Sequence, residues 1–60
     1  MDYELHIDGF HEITFGSDNN LMDDFREVMM DYTDNEIVIT PSTNGVMTEV
    51  DGVKYEAIEA

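Results

Sequence analysis

Apolar and polar residues alternate at the start of the chain. Tyr3, Leu5 and Ile7 are separated by Glu4 and His6, which is the period of a strand with one buried face. Asp8-Gly9 supplies a turn, and His11, Ile13 and Phe15 resume the alternation, so Tyr3 to Phe15 reads as a β-hairpin. A two-residue loop would pair Ile7 with Phe10 and Leu5 with Glu12, mixing the faces. A three-residue loop, Ile7-Asp8-Gly9, with Gly9 left-handed in a bulge, pairs Leu5 with His11 and Tyr3 with Ile13. That register is the expectation. It leaves Glu4, His6, Phe10, Glu12 and Thr14 on the outer face.

The period then changes. Leu21, Phe25, Val28, Met29 and Tyr32 fall at helical spacing and predict a helix over Leu21 to Tyr32, with Asn19 or Asn20 as its N-cap. Asp23 and Asp24 lie in the first turn, where the helix dipole favours anions, whereas Asp31 lies near the unfavourable end. Glu36 to Thr40 reads as a β-branched strand stopped by Pro41, and Pro41 to Gly45 is turn chemistry throughout. Across Asp51-Gly52 a two-residue loop pairs Val50 with Val53, Thr48 with Tyr55 and Val46 with Ala57, all on one face. The opposite face sets Glu49 against Lys54. The elements run ββαβββ. They predict an α+β fold, a single acidic domain over residues 1–60, with one helix on one face of an antiparallel sheet. A helix that returned the chain beside the first strand would give strand order 2-1-3-4-5.

Charge changes the picture most. Fifteen Asp and Glu face two basic residues, Arg26 and Lys54, for a formal net charge of −13. Self-repulsion at that density opposes compaction, yet 42% of the residues are hydrophobic, too many for a merely solvated acidic tail. A folded acidic domain results, and its stability is expected to be thin because so short a chain buries only about 60% of its unfolded surface. No cysteine is present to form a disulfide or a thiolate metal site. A homodimer is the expected remedy. Phe10, Val38, Met47 and Ile58 on the predicted outer sheet face, with Met22 and Met30 beside the helix stripe, are the candidate self-association residues. The acidic N-terminus is unlike a secretory signal, and no apolar run exceeds three residues, so a cytoplasmic location and no membrane contact are expected.

Catalytic parts are scarce. The serines lie in polar loops without a nucleophile elbow, no glycine-rich phosphate loop exists, and the expected register keeps His6 and His11 on opposite faces. Asp31 to Glu36 lacks the glycine and the alternating oxygen ligands of a calcium loop. No enzyme, cofactor or metal is therefore expected. The acidic pattern remains. Asp23, Glu27 and Asp31 stand at i, i+4 and i+8, with Asp24 alongside and Asp34 past the helix end. A solvated helix face is the ordinary explanation of such a run. It predicts mixed signs, because like charges at i, i+4 cost a few tenths of a kcal/mol per pair, and here only Arg26 interrupts them. A saline cytoplasm is a second explanation. It fits poorly with five each of Ile and Met and four Asn, a composition better suited to an AT-rich genome.

In size, extreme acidity, absence of cysteine and ββα-plus-strands layout the chain resembles the small acidic proteins of bacteriophages that mimic DNA. These inhibit uracil-DNA glycosylase, restriction enzymes, CRISPR nucleases, RNA polymerase or the histone-like nucleoid protein HU. The resemblance is to a class and no residue motif carries it, so no functional residue is transferred. It implies a host-takeover function, with HU the favoured target because a compact dimer with acid on its outside suits a DNA-bending protein. The expected contacts are Asp23, Asp24, Glu27 and Asp31, then Asp34, Glu36 and the outer-face Glu4, Glu12 and Glu56. Direct nucleic-acid binding is not expected, because like charges repel. The alternative is a small interaction or assembly module that uses the apolar outer sheet face.

Overall fold

In a computed structural model that describes residues 1–60, the first hairpin comprises β1 (Asp2–Ile7) and β2 (Phe10–Gly16). Helix α1 (Leu21–Met29) follows, then β3 (Thr40–Ser42), β4 (Gly45–Val50) and β5 (Val53–Glu59). The strands form one antiparallel sheet, and α1 packs on one of its faces as expected for an α+β fold. No helix is long and apolar enough to cross a membrane.

The strand order is β2-β1-β5-β4-β3, not 2-1-3-4-5. The reason lies in Pro41, which falls inside β3 rather than ending a strand before it. A proline has no N–H to give to a ladder and is confined to sheet edges. The helix therefore carries the chain past β1 to the far edge. β3, β4 and β5 then wind back, and the long β5 closes on β1 through Leu5↔Ala57 and its neighbours.

The predicted strand Glu36 to Thr40 is also revised. Its alternation survives, with Ile37 and Ile39 buried and Glu36 and Val38 exposed, but Glu36 to Ile39 pair with no strand. Side chains hold the backbone instead. Arg26 Nη1 donates to the Ile37 carbonyl at 3.3 Å, and the buried Thr48 Oγ1 donates to the Val38 carbonyl at 2.8 Å. The segment climbs from the helix level to the sheet edge, so it cannot lie in the sheet plane.

The first hairpin departs from its expected register. Its loop is the two-residue Asp8-Gly9, both left-handed (φ 51° and 89°), with Ile7 opposite Phe10 and His6 opposite His11. The register then shifts, and Leu5 pairs with Ile13 and Tyr3 with Phe15. The mixed faces are thus repaired by a bulge at Glu12, three residues beyond the turn, rather than inside the turn. Asp8 also reaches across to β5. Its N–H donates to the Lys54 carbonyl at 2.8 Å, and its carboxylate accepts from the Lys54 N–H at 3.0 Å. Those bonds tie the hairpin tip to β5 and favour the tight loop. The second hairpin keeps the register expected of it, with Asp51 at φ 53° and Gly52 at φ 80°.

The core is Leu5, Phe25, Met29, Ile37, Ile39, Val46 and Ala57, with Phe25, Leu5 and Met29 fully enclosed. Two ion pairs exist, the N-terminus with Asp18 and Lys54 with Glu56, and His6 is hydrogen-bonded to Glu4. Most of the fifteen carboxylates therefore repel without compensation. The melting temperature should rise between low and moderate sodium chloride, because the Debye length falls to about 10 Å at 0.1 M. A flat or falling melting temperature would show that the charges are already balanced.

Candidate acidic interaction surface

The helix is fixed from its first turn. Asn20 is the N-cap, its side chain accepting from the Asp23 N–H at 3.2 Å. The buried Ser17 donates its hydroxyl to Asp24 Oδ2 at 2.6 Å, which anchors the preceding loop to the helix. At the other end α1 stops at Met29, short of the predicted Tyr32, and the chain tightens. The N–H groups of Met30, Asp31 and Tyr32 bond to carbonyls three residues back. Asp31 thus sits in a turn just beyond the helix, still at the negative end of its dipole.

Phe25 and Met29 define the buried face of α1, with Leu21, Val28 and Tyr32 half-buried beside them. At 100° per residue Asp23 and Glu27 point away from the sheet. The flank toward β2 carries Asp24, Glu27 and Asp31. With Phe15, Gly16 and Val28 they line a groove of about 240 Å³. The structure therefore brings together three of the four expected helix contacts, while Asp23 lies outside the groove. No local pattern marks Phe15, Gly16 and Val28 as its floor. That role follows from the position of β2 at the sheet edge.

The opposite flank carries Met22, Arg26 and Met30. Here Arg26, Met29, Met30, Thr33, Asn35, Glu36 and Ile37 line a second hollow of about 230 Å³. Glu36 is exposed on this side, separated from the acidic groove, and Asp34 is exposed in the connecting loop.

Glu12 is not simply an outer-face residue. As the extra residue of the bulge it has no register partner, and its charge reaches Tyr32 on the helix side. The Tyr32 phenol is raised above its ordinary 10.0, first by burial and then by the charges of Glu12 and Asp31, with Tyr55 adding to it. The folded state therefore keeps this proton. The resulting contribution to stability is complete below pH 10.0 and is lost as pH rises through the folded value. In a spectrophotometric titration of the three tyrosines, Tyr32 should ionise late. Glu12→Gln and Asp31→Asn should each bring it partway back. No change in either variant would mean that these charges do not converge there.

On the outer sheet face the carboxylates are engaged. His6 Nε2 donates to Glu4 Oε1 at 2.9 Å, and Lys54 Nζ donates to Glu56 Oε1 at 3.3 Å. Lys54 stands opposite Glu49 in register but ion-pairs with Glu56 on its own strand. The bond from His6 holds the Glu4 carboxyl below its ordinary 4.5. That contribution to stability is complete above pH 4.5 and is lost as pH falls through the folded value. His11 is on this face too, contrary to expectation. Its ring stacks on His6 with centroids 5.7 Å apart, and its Nε2 lies 3.3 Å from Thr14 Oγ1. The bulge beyond His11 is what puts the two rings in register.

The apolar residues do not form the predicted outer patch. Met47 and Ile58 lie on the outer face and are half-buried. Phe10 is paired with Ile7 at the hairpin tip, and Val38 lies in the irregular segment; each is 78% exposed. Met22 and Met30 belong to the helix flank opposite the acidic groove. No three His, Cys, Asp or Glu side chains are grouped to hold a metal ion. Comparison of the chain with family models, with curated proteins and with solved structures gives no match.

Proposed function

We propose that this protein is a DNA-mimic inhibitor that covers the DNA-binding surface of a basic protein in the cytoplasm of a host cell. One observation carries the reading: the helix-side carboxylates Asp23, Glu27 and Asp31 are exposed and have no cation within salt-bridge distance. The outer-face Glu56 has Lys54 as its cation, and Glu4 accepts a hydrogen bond from His6. Uncompensated charge is what a surface evolved to grip phosphate would meet most strongly. Phosphates along one strand of a duplex recur every 3.4 Å or so of axis, and Asp23 and Glu27 stand at roughly 5–6 Å on the helix with Asp31 in the turn beyond, so lysines and arginines spaced for one can reach the other. The mechanism is competition without chemistry. Steering by the field of the whole molecule speeds association, and salt weakens it. HU remains the favoured target, with a DNA glycosylase, a nuclease or RNA polymerase as further targets of the same chemistry.

The test is displacement of duplex DNA from purified HU and from the other target classes, at several salt concentrations. Displacement that weakens steeply with salt supports the reading. Capture of a neutral partner that survives high salt would favour an interaction module instead. The exposed Met22, Met30 and Val38 are the residues that would serve it.

A further inference from the structure

We propose that the open edge of β2 docks an extended, basic strand of the partner, whose lysine or arginine side chains enter the groove beside Asp24, Glu27 and Asp31. The proposal rests on the mimic reading and gives its partner a shape as well as a charge.

The sheet has two edges, and they differ. β3 is three residues long and contains Pro41, so it offers little for pairing. β2 has seven residues, all but Phe15 exposed, and pairs with β1 on one side and with no strand on the other. Its one defence is the bulge at Glu12. Beyond the bulge, Ile13, Thr14, Phe15 and Gly16 are in regular register with Leu5, Glu4, Tyr3 and Asp2. That regular stretch presents unpaired backbone groups in a row, the template used when an extended peptide adds to a sheet. It also carries exposed apolar surface, Ile13 at 37% and, at the hairpin tip, Phe10 at 78%.

The same stretch borders the groove, since Phe15 and Gly16 form its β2 wall. Side chains on one face of an added strand recur every 6.8 Å or so. From Asp24 to Met29 the helix advances roughly 7.5 Å at 1.5 Å per residue, and the tightened turn to Asp31 adds about 4 Å. Two basic side chains at i and i+2 therefore fit the groove, their stems against Phe15 and Val28 and their charges among the three carboxylates. Asp24 keeps its bond to Ser17 with one oxygen, and Glu27 and Asp31 are unengaged.

Charge complementarity selects this occupant over a second copy. Another copy would bring its own acidic groove to the shared edge and no cation to fill either one. Arg26 is held on the Ile37 carbonyl, on the far flank of the helix, and Lys54 on Glu56 of the outer face.

Three capped seven-residue peptides of equal charge test the proposal by titration and by amide protection in the full-length protein. One alternates threonine and lysine. The second has its lysines in one block. The third is the alternating peptide with its backbone methylated at every second nitrogen. The alternating peptide should bind at least about tenfold more tightly than either control and protect amides of Ile13 to Gly16, because only it makes both the ladder and the charge contacts. Glu27→Gln with Asp31→Asn should remove that advantage. Equal binding by all three peptides, or no binding, overturns the docked strand. So does protection of the β2 amides in concentrated protein without peptide, which would assign the edge to a second copy. The mimic reading is judged separately by DNA displacement, so the two can fail independently.

Discussion

Charge reversal at three helix-side carboxylates, Asp23→Lys with Glu27→Lys and Asp31→Lys, is expected to abolish displacement of DNA from a basic target while the fold persists. Each reversal adds two positive charges, so the net charge moves from −13 to −7. Stability changes little because opposing terms nearly cancel. Asp23→Lys gives up a favourable dipole position, about 0.3–1 kcal/mol, but the cap survives because Asn20 accepts from the backbone of residue 23. The i, i+4 contact between residues 23 and 27 remains like-charged, residue 31 lies in the turn beyond the helix, and new attractions to Asp24 and Glu12 arise. None of the three side chains is buried. Binding has no such cancellation. Interfacial charge pairs are worth about 1.5 kcal/mol at the weak end, and a like-charge pair costs several more. Three reversals therefore predict a loss of at least about 10³-fold. The comparison is Glu4→Lys with Glu56→Lys, which moves the net charge from −13 to −9 on the face whose acids are already hydrogen-bonded or paired. Loss of displacement in the sheet variant alone would place the mimic surface on the sheet. Full activity in both would remove charge as the mechanism and favour an apolar interface through Met22, Met30 and Val38.

What was legible in the sequence follows from how local each signal is. The second hairpin was readable because Asp51-Gly52 and the alternation on both sides agree on a single register. The helix and its cap were readable for the same reason, since Asn20, Asp23 and the apolar stripe lie within one stretch of chain. The first hairpin offered two ways to reconcile its faces, and the choice between a wide loop and a distant bulge was made by Asp8 bonding to Lys54, 46 residues away. No local pattern reports such a contact. The strand order was likewise decided at a distance, although Pro41 was a local clue: a strand containing it belongs at an edge. These differences propagate to the site. Moving the bulge to Glu12 put His11 against His6 and brought the Glu12 charge to Tyr32. The edge position of β2, already given by the expected order 2-1-3-4-5, leaves the groove open. The acidic side chains themselves were legible; their division into engaged and free sets was not, because it depends on which strand neighbours supply cations.

Gly45→Ala should be the most damaging of the small substitutions, by a route that involves no charge. A Cβ at residue 45 would lie 2.0 Å from the Ala57 carbonyl oxygen, 3.0 Å from its carbon and 3.7 Å from Ile58 Cα. All three are backbone atoms of β5, which pairs with both β1 and β4 and has no slack to give. The start of β4 must move off β5, loosening the pairs Gly45↔Ile58 and Val46↔Ala57 and, through Ser42↔Gly45, the edge strand β3. Val46 and Ala57 are core residues, so the shift opens the core as well. Overpacking of this kind typically costs about 1–3 kcal/mol. A chain of this length has only about 3–9 kcal/mol in total at ordinary stability per residue. At roughly 4–8 °C per kcal/mol for a domain of this size, the melting temperature should fall by roughly 4–24 °C. Gly16→Ala is the control, since its Cβ would meet only Asp2 Oδ1 at 4.0 Å, and its effect should stay within about 0.5 kcal/mol. Equal melting temperatures for the two variants would mean that β4 and β5 do not approach as closely as this register requires. The consequence for binding separates preorganisation from charge. Helix α1 rests on β4 and the sheet core through its own Phe25 and Met29, so Gly45→Ala should weaken DNA displacement near its melting range with the net charge unchanged at −13. Well below that range displacement should recover, because the acidic groove re-forms whenever the helix is seated.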